Sequence, residues 1–224
     1  QKHGSSPRKL TFSLWSVETM RHQGILEAQA LWALGVEPVW DAGGRVTGVR
    51  LIPREQLGRP RVDVVLSVTG LYRDQFPNTM QQLAKAVQIA AQAKETDNAV
   101  AQNSLKMAAK LREAGIPEDQ INNAAQTRIF SSESGRYGTG LDDATLASNS
   151  WKSKEDGDKK LAQLYLSRMQ FAYGADQSQW GNKLDAVNLY AEALRGTDAA
   201  VLSRSSNLYG MLTTDDPFQY LGGI

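Results

Sequence analysis

The sequence predicts an α/β fold, in which a partly parallel sheet is flanked by helices and the second half of the chain is mostly helical. Two segments rich in β-forming residues, 9–16 and 61–70, are each followed by a helical pattern, and this alternation is typical of a parallel sheet. From Asp97 onward the apolar residues recur mainly at helical spacing. We therefore expect three segments, of which the last two form either one continuous domain or two: a flexible lead-in over 1–8, an α/β region over 9–96, and a mostly helical region over 97–224 with a glycine-rich loop and a terminal strand.

The first elements follow from local patterns. Residues 9–16 predict a strand, and the segment from Val17 to Leu34 predicts a single helix that ends at Gly35. The apolar stripe of that helix contains Met20, Ala28, Leu31 and Leu34. Residues 37–53 then predict a β-hairpin that turns at its Gly-Gly pair.

The continuous β-branched run over 61–70 is typical of a strand buried on both faces. It is followed by a helix whose apolar stripe consists of Met80, Leu83, Ala84, Val87, Ala90 and Ala91. Beyond residue 97, an apolar stripe predicts a helix that ends at Gly115, and Pro117 begins the next helix. That stripe consists of Val100, Met107, Ala108, Leu111 and Ala114. Residues 159–173 predict a further helix, and 198–206 predict a short buried strand.

Composition and missing motifs exclude several classes of function. The 25 Lys and Arg residues nearly balance the 24 Asp and Glu residues, and the absence of a concentrated basic block argues against nucleic-acid binding. With no cysteine, the chain has neither disulfides nor thiolate chemistry. It contains no apolar run long enough for a membrane span, and its start has no apolar signal-peptide core. The phosphate-loop and Gly-x-Ser-x-Gly motifs are both absent, so we expect neither nucleotide hydrolysis by this chain nor an esterase triad.

Two polar pairs follow the predicted strands. Glu18 and His22 are four residues apart, so on one helix they would share a face, either as an exposed contact or as a base or metal ligand with its partner. Arg73 and Asp74 come directly after the buried strand, where open α/β sheets place their ligand crevice. A surface ion pair is the alternative for these two residues.

Two later segments also carry candidate ligand-binding groups. The glycines at 135, 138 and 140 either relieve a tight loop or let backbone amides approach a flat or anionic ligand. The segment after residue 203 is dense in hydrogen-bonding side chains, which suits either the wall of a pocket or a solvated loop. Those side chains are Arg204, Ser205, Ser206, Asn207, Asp215, Asp216 and Gln219.

Taken together, these segments resemble the CobN-type large subunit of cobaltochelatase, a family related to the porphyrin-binding large subunit of magnesium chelatase. The resemblance covers residues 13–80, which begin SLWSVETMRHQG and end GLYRDQFPNTM, and continues in RIFSSESGRYGTGL, YLSRMQFAYG and VLSRSSNLYGMLTTDDPFQYLGG. Family members are several times longer, so we expect an excised segment of the C-terminal region of such a subunit, inactive by itself.

The resemblance implies a subunit that binds a tetrapyrrole, hydrogenobyrinic acid a,c-diamide in the cobalt case, and inserts a divalent metal, Co²⁺ or alternatively Mg²⁺. It also implies separate AAA+-type ATPase partner subunits, which agrees with the missing phosphate loop, and a cytoplasmic location. One departure is noted at Ala101, Gln102 and Asn103, where many relatives carry an Arg-Lys-His-like stretch.

Carried over residue by residue, the resemblance gives catalytic candidates Glu18 and His22. The candidates for tetrapyrrole binding are Arg73, Asp74, Arg128, Ser131, Tyr137, Arg204, Ser205 and Gln219, and those for the metal are His22, Asp215 and Asp216. We hypothesise that His22 is a base or transient metal ligand oriented by Glu18. The arginines would pair with carboxylates of the macrocycle, and Asp215 and Asp216 would escort the metal.

Two other functions stay open. One is a tetrapyrrole-binding or de-chelating protein of a haem or cobalamin uptake system, which would be periplasmic. The other is a non-catalytic lobe that docks the ATPase subunits. The chelatase hypothesis makes a structural prediction: the separated polar segments should converge on one cleft, at the strand ends near His22 and Arg73.

Overall fold

The computed structural model describes residue 4 and residues 6–146 and 148–203. The strands are β1 Lys9–Leu14, β2 Val36–Trp40, β3 Val46–Leu51, β4 Asp63–Val68, β5 Ile129–Ser131, β6 Phe171–Ala172 and β7 Ala199–Leu202. The helices are α1 Ser16–Arg21, α2 Ile25–Leu34, α3 Arg54–Leu57, α4 Gly70–Gln75, α5 Pro77–Gln92, α6 Ala99–Glu113, α7 Glu118–Gln126, α8 Leu141–Leu146, α9 Lys154–Arg168 and α10 Leu189–Leu194. Short 3₁₀ turns lie at Ser148–Ser150 and Gln177–Gln179.

The main sheet has the strand order β6-β5-β4-β1-β7. Strands β1, β4, β5 and β7 are parallel, and β6 is antiparallel to β5. The α/β class with a partly parallel sheet is therefore confirmed. Because parallel strands end on the same side, the sheet has a carboxyl edge after Leu14, Val68, Ser131 and Leu202 and an amino edge at the opposite ends.

The sheet is covered by helices on both faces, which explains the unbroken apolar run of β4. Val64, Leu66 and Val68 pack into one core with α2 and α5. Val65 points to the other face and packs with Phe130 and with side chains of α6, α7 and α10. Burial on both faces removes the need for a polar alternation along the strand.

The helix predicted over 17–34 is two helices, so that prediction was wrong. The chain breaks after α1 at Gln23 and Gly24, which have φ values of 55° and 81°. These left-handed conformations end α1. The chain then begins α2, whose side chains are rotated about the helix axis relative to those of one continuous helix. As a result Met20 of the expected stripe is 55% exposed, while Leu26, Glu27 and Ala30 are buried instead.

The hairpin and the helix over 77–92 are confirmed, the latter with five of its six predicted stripe residues buried. Other elements differ from expectation. The glycine-rich stretch contains β5 and α8, and the helix expected over 159–173 ends at Arg168, since Phe171 leaves it to pair with β5. The terminal strand β7 lies at the end of the described sheet, and its residues are exposed or half-buried rather than buried.

The boundary expected near residue 96 stays a prediction. The main sheet takes β1 and β4 from before that position and β5, β6 and β7 from after it. Within the described portion of the chain, no helix combines the length and apolar character needed to cross a membrane.

Candidate functional site

The order of the strands in the sheet predicts a ligand crevice at the carboxyl edge. From β1 the chain crosses to β4 and then β5 on one side, and it later returns to β7 on the other side of β1. Ligands of open α/β sheets bind outside the carboxyl ends of the strands, at such a reversal. The segments that leave this edge are α1 with the turn to α2 after β1, α4 after β4, and the glycine-rich loop after β5.

His22 lies at the end of α1 and is only 9% exposed. Its imidazole Nδ1 accepts a hydrogen bond from the Ile25 backbone N–H at 3.0 Å. The carboxylate of Glu18, also buried, pairs with Arg21 at 3.0 Å. The imidazole is thus oriented by a hydrogen bond from the start of α2, and its orientation by Glu18 stays a prediction.

A second polar group connects α1, α2 and α4. The hydroxyl of Thr19 donates to Oε1 of Glu27 at 2.7 Å, and both side chains are buried. The hydroxyl of Tyr72 on α4 lies beside the same carboxylate without a well-formed hydrogen bond. Burial first, and the negative charge of Glu27 second, raise the pKa of Tyr72 well above its usual value. Neither Glu27 nor Thr19 was singled out from the sequence.

Arg73 and Asp74 hold the start of the glycine-rich loop against α4. The Arg73 guanidinium donates to the Ser132 and Glu133 carbonyls at 2.8 and 2.9 Å and to Asp74 Oδ1 at 2.7 Å. The hydrogen bond from Arg73 lowers the pKa of Asp74. Arg73 is 6% exposed, so this contact fixes the start of the glycine-rich loop, and binding of a ligand by Arg73 stays a prediction.

Tyr137, in the glycine-rich loop, also contacts Arg73 and Asp74. Its ring stacks under the Arg73 guanidinium at 5.9 Å, and its hydroxyl interacts with Asp74, which raises the pKa of Tyr137. The loop approaches α4 closely, because a Cβ on Gly70 would lie 2.5 Å from the Arg136 carbonyl oxygen. Glycine at position 70 is therefore required for the approach.

Ser131 is at the end of β5 and donates to the Val68 carbonyl at 2.9 Å. The hydroxyl of Ser16 in turn donates to Gln75, which joins α1 to α4. Segments 16–22, 70–75 and 131–137 are therefore brought together at the carboxyl edge, as the sequence predicted for this portion of the site.

Within the part of the chain that is described, the buried polar atoms without a partner lie in or next to segments 16–22 and 70–75 and on α2. Among the described residues, five buried side-chain polar atoms make no hydrogen bond, and all five belong to residues 15–27 or 72–73. They are Trp15 Nε1, His22 Nε2, Glu27 Oε2, Tyr72 Oη and Arg73 Nη2. Burying such groups costs free energy, so their collection in one region makes it the candidate ligand site.

Arg128 lies elsewhere, because it precedes β5 and so sits at the amino edge. Its guanidinium donates to Asp63 at 3.0 Å, to the Ala125 and Thr127 carbonyls and to the Ser104 hydroxyl. The side chain is 3% exposed, and all three of its nitrogens donate to groups of the protein. The structure does not bring Arg128 to the other predicted residues.

The remaining predicted residues, Arg204, Ser205, Asp215, Asp216 and Gln219, lie outside the described residues. Within the portion that is described, no group of three or more His, Asp or Glu side chains is arranged to hold a metal ion. The departure at 101–103 is on α6 at the amino edge, where the Asn103 amide donates to Asp63 at 2.9 Å.

Sequence reasoning missed Glu27 and Thr19 because it placed them on one continuous helix. A signal was present: Gln23-Gly24 is a helix-breaking pair directly before Ile25, and it moves Glu27 to the buried face. Trp15 and Tyr173 were also missed as site neighbours. Tyr173 lies near the Arg73 guanidinium, and burial raises the pKa of Tyr173.

The fold and the site together define an open-sheet α/β domain with a candidate ligand site at the carboxyl edge. The chain belongs to the CobN/magnesium chelatase family, whose family model matches residues 1–224. It is 32% identical over its whole length to a Sinorhizobium protein named aerobic cobaltochelatase subunit CobN, of which it covers 17%. It is 34% identical over 99% of its length to the H subunit of magnesium chelatase from Rhodobacter capsulatus, of which it covers 18%.

A solved structure shows the same fold. The catalytic subunit of cobaltochelatase from Mycobacterium tuberculosis matches with a TM-score of 0.83 and 35% identity over 99% of this chain and 18% of that one. The chain therefore spans less than a fifth of the length of these relatives.

Proposed function

We propose that this chain belongs to the tetrapyrrole-binding large subunit of an ATP-dependent metal chelatase, in which a divalent metal ion is a substrate. Membership of the CobN/magnesium chelatase family supports the reaction class. The relatives are named after both cobalt and magnesium enzymes. Within the proposal, insertion of Co²⁺ into hydrogenobyrinic acid a,c-diamide is the first candidate and Mg²⁺ insertion into a porphyrin is the second, with ATP used by AAA+-type partner subunits.

The observation that carries the proposal is the set of five unpartnered polar atoms at the carboxyl edge. A tetrapyrrole offers what these atoms require: carboxylates that accept hydrogen bonds, ring N–H groups that donate them, and a flat apolar face. Arg73 Nη2, His22 Nε2 and Trp15 Nε1 are donors, whereas Glu27 Oε2 is an acceptor. A ligand that carries both kinds of group satisfies the set.

The hydrogen bond from Ile25 supports a role for His22 as a donor. Because Nδ1 accepts an N–H, the proton of the neutral imidazole is on Nε2. His22 therefore presents an N–H donor toward the ligand, suited to a carboxylate of the macrocycle. To act as a base or to ligate a metal through Nε2, it must first lose this proton and give up the contact with Ile25.

Metal insertion releases two protons from the pyrrole nitrogens, so the site needs a proton acceptor. The Glu27 carboxylate fits this role: Thr19 holds Oε1 at 2.7 Å, and Oε2 makes no hydrogen bond. We assign Glu27 as the acceptor of one pyrrole proton, with Tyr72 beside it to donate to the carboxylate when a ligand shifts the ring. Glu18 stays a candidate for the second proton.

Arg73 and Tyr137 form the anchoring wall in this proposal. Two of the donors of Arg73 are fixed by loop carbonyls and a third by Asp74, which holds the guanidinium plane in place. The remaining Nη2 donates to a carboxylate of the ring, and the exposed Tyr137 phenol supplies a flat surface.

The test is metal insertion and ring binding by the full-length protein with Glu27→Gln, measured beside His22→Ala, Glu18→Gln and the control Glu113→Gln. Glu113 is exposed on α6, at the opposite face of the sheet, and its substitution removes the same charge. We expect insertion by Glu27→Gln to fall about a hundredfold, as for loss of a general base, with ring affinity changed only slightly. His22→Ala should weaken ring binding instead.

Wild-type turnover in Glu27→Gln would refute its role as proton acceptor. Unchanged ring affinity in His22→Ala and Arg73→Lys together would refute the crevice as the ring site. Catalysed removal of metal without insertion would support the uptake alternative. Capture of the ATPase subunits with no change in the ring's absorption spectrum would support the docking-lobe alternative.

A further inference from the structure

The amino edge of the sheet contains a cavity that the proposed function does not use. Its volume is about 280 Å³. Among the described residues, six basic side chains and two acidic ones line it: Arg8, Lys9, Lys106, Lys110, Arg128 and Arg195, with Glu192 and Asp198. This excess of positive charge is local, because the whole chain has a formal net charge of only +1.

The charges come from the starts of the parallel strands and from the neighbouring helices. Lys9 begins β1, Arg128 precedes β5 and Asp198 precedes β7. Lys106 is on α6, which covers this end of the sheet. The cavity is therefore formed by the residues at the starts of the strands, by α6 and by the segment from α10 to β7.

Some of the positive charge is compensated within the protein. Glu192 pairs with both Lys110 and Arg195, and Arg128 is bound to the buried Asp63. The Asp198 carboxylate accepts hydrogen bonds from the backbone N–H groups of residues 8 and 9 at 2.7 and 3.0 Å. Its negative charge is therefore only partly available to the basic side chains of the cavity.

Three cations facing the cavity have no carboxylate of the described residues hydrogen-bonded to their side chains. Arg8 donates to the neutral Gln102 amide, and Lys106 has no ion-pair partner among the described residues. Lys9 donates to the carbonyls of Ala193 and Arg195 at 2.9 and 2.7 Å.

Lys9 is the most informative of the three, because its side chain carries an amino group and is only 8% exposed. An ammonium group has three N–H donors, and the two carbonyls use two of them. The third is left for a ligand in the cavity that Lys9 lines. Burial lowers the pKa of Lys9, so an anion beside it would restore the stability of the charged form.

We propose that this amino-edge cavity binds a small multivalent phosphate anion, held by Lys9, Lys106 and Arg8. The three cations match a ligand with two or three negative charges. Two of them are lysines, whose ammonium groups act as point charges suited to the tetrahedral, multiply charged phosphate group. The volume is near the lower limit for small-molecule sites, about 300–1,000 Å³, and so suits an inorganic phosphate or diphosphate in preference to a larger ligand. The site lies at the opposite end of the strands from the tetrapyrrole crevice and does not depend on that proposal.

The test is calorimetric titration of the full-length protein with pyrophosphate at about 0.15 M salt, where the attraction between distant surface charges is screened. Lys106→Glu and Arg8→Glu place a negative charge at the cavity, whereas Lys85→Glu makes the same change on α5, across the sheet. We expect the first two variants to lower the affinity about tenfold each and the control to leave it within about twofold.

Protection from acetylation gives a second readout that does not require a variant. Pyrophosphate should protect Lys106 and leave Lys85 reactive, as read by mass spectrometry. The absence of binding at this salt concentration, an equal loss in Lys85→Glu, or equal protection of both lysines would overturn the proposal. Citrate is the comparison anion: binding as tight as that of pyrophosphate would overturn the assignment to the phosphate class.

Discussion

Replacing Tyr72 by Phe tests whether the Tyr72 hydroxyl serves ligand binding or stabilises the fold. The Tyr72 side chain is 0% exposed and its hydroxyl makes no well-formed hydrogen bond. A buried polar group without a partner costs about 1–3 kcal/mol, so removing the hydroxyl should leave the free energy of unfolding unchanged or raise it by about 1 kcal/mol. Urea denaturation of the 224-residue chain measures this quantity.

Tyr190→Phe is the matched control, since Tyr190 is equally buried but its hydroxyl is bonded. It lies 2.6 Å from the Ser67 hydroxyl and 3.1 Å from the Tyr165 hydroxyl. Its removal takes away two hydrogen bonds and leaves Ser67 without this partner. We therefore expect Tyr190→Phe to lower the free energy of unfolding by about 1–3 kcal/mol. The two substitutions delete the same atom and should differ in the sign of their effect.

The ligand assay then completes the test. If the Tyr72 hydroxyl serves the tetrapyrrole site, its loss removes a hydrogen bond worth about 0.5–1.5 kcal/mol in the bound state. Ring affinity, followed by absorption titration of the full-length protein, should fall by roughly two- to twelvefold. Tyr190→Phe should leave the affinity unchanged. A Tyr72→Phe variant that is as destabilised as Tyr190→Phe, with unaltered ring affinity, would refute the reasoning.

Three further predictions concern the close approach at Gly70, the buried ion pair at the amino edge and the ionisation of Tyr72. Gly70→Ala places a Cβ 2.5 Å from the Arg136 carbonyl oxygen, so we expect about 1–3 kcal/mol of destabilisation in urea denaturation and release of the glycine-rich loop, seen as faster proteolysis there; unchanged stability would contradict the close approach. Asp63→Asn leaves the buried guanidinium of Arg128 without its counter-charge, and urea denaturation should show a loss of about 3–5 kcal/mol; a loss under about 1 kcal/mol would show that the pair is not buried. Because burial raises the pKa of Tyr72 above its usual value of 10.0, the stability that its neutral form contributes is complete below pH 10 and is lost as the pH rises further. Ultraviolet titration should then show Tyr72 ionising only together with unfolding, and reversible ionisation near pH 10 in the folded chain would contradict its burial.

The two ends of the sheet have different electrostatic character. At the amino edge the described ionisable groups either form ion pairs, such as Asp63–Arg128, or line the cationic cavity, such as Lys9. At the carboxyl edge several buried polar atoms of the described residues have no partner. The amino edge thus combines a buried structural ion pair with the proposed anion site, whereas the carboxyl edge carries the polar atoms proposed to contact the tetrapyrrole.

The sequence predicted the convergence at the carboxyl edge because the rule behind it depends only on strand order and direction. Arg73 follows β4 and Ser131 ends β5, so parallel pairing places them together whatever their side chains do. For Arg128 the same rule would have given the opposite edge, had the short strand Ile129–Ser131 been recognised inside the glycine-rich stretch. Three residues give too little periodicity to predict a strand.

The amino-acid sequence was enough to predict the family, the α/β class, the buried strand within 61–70 and the helix that follows it, because long apolar periodicities and extended motifs are local properties of the chain. The packing of distant segments was needed to show that Ile25 orients His22, that Glu27 lies beside Thr19 and Tyr72, and that a cationic cavity lies at the amino edge. Hydrogen-bond partners and burial depend on which segments pack together in space. They are set by the rotation of α2 after the Gln23-Gly24 break and by the pairing of distant strands. A local sequence pattern predicts neither of these.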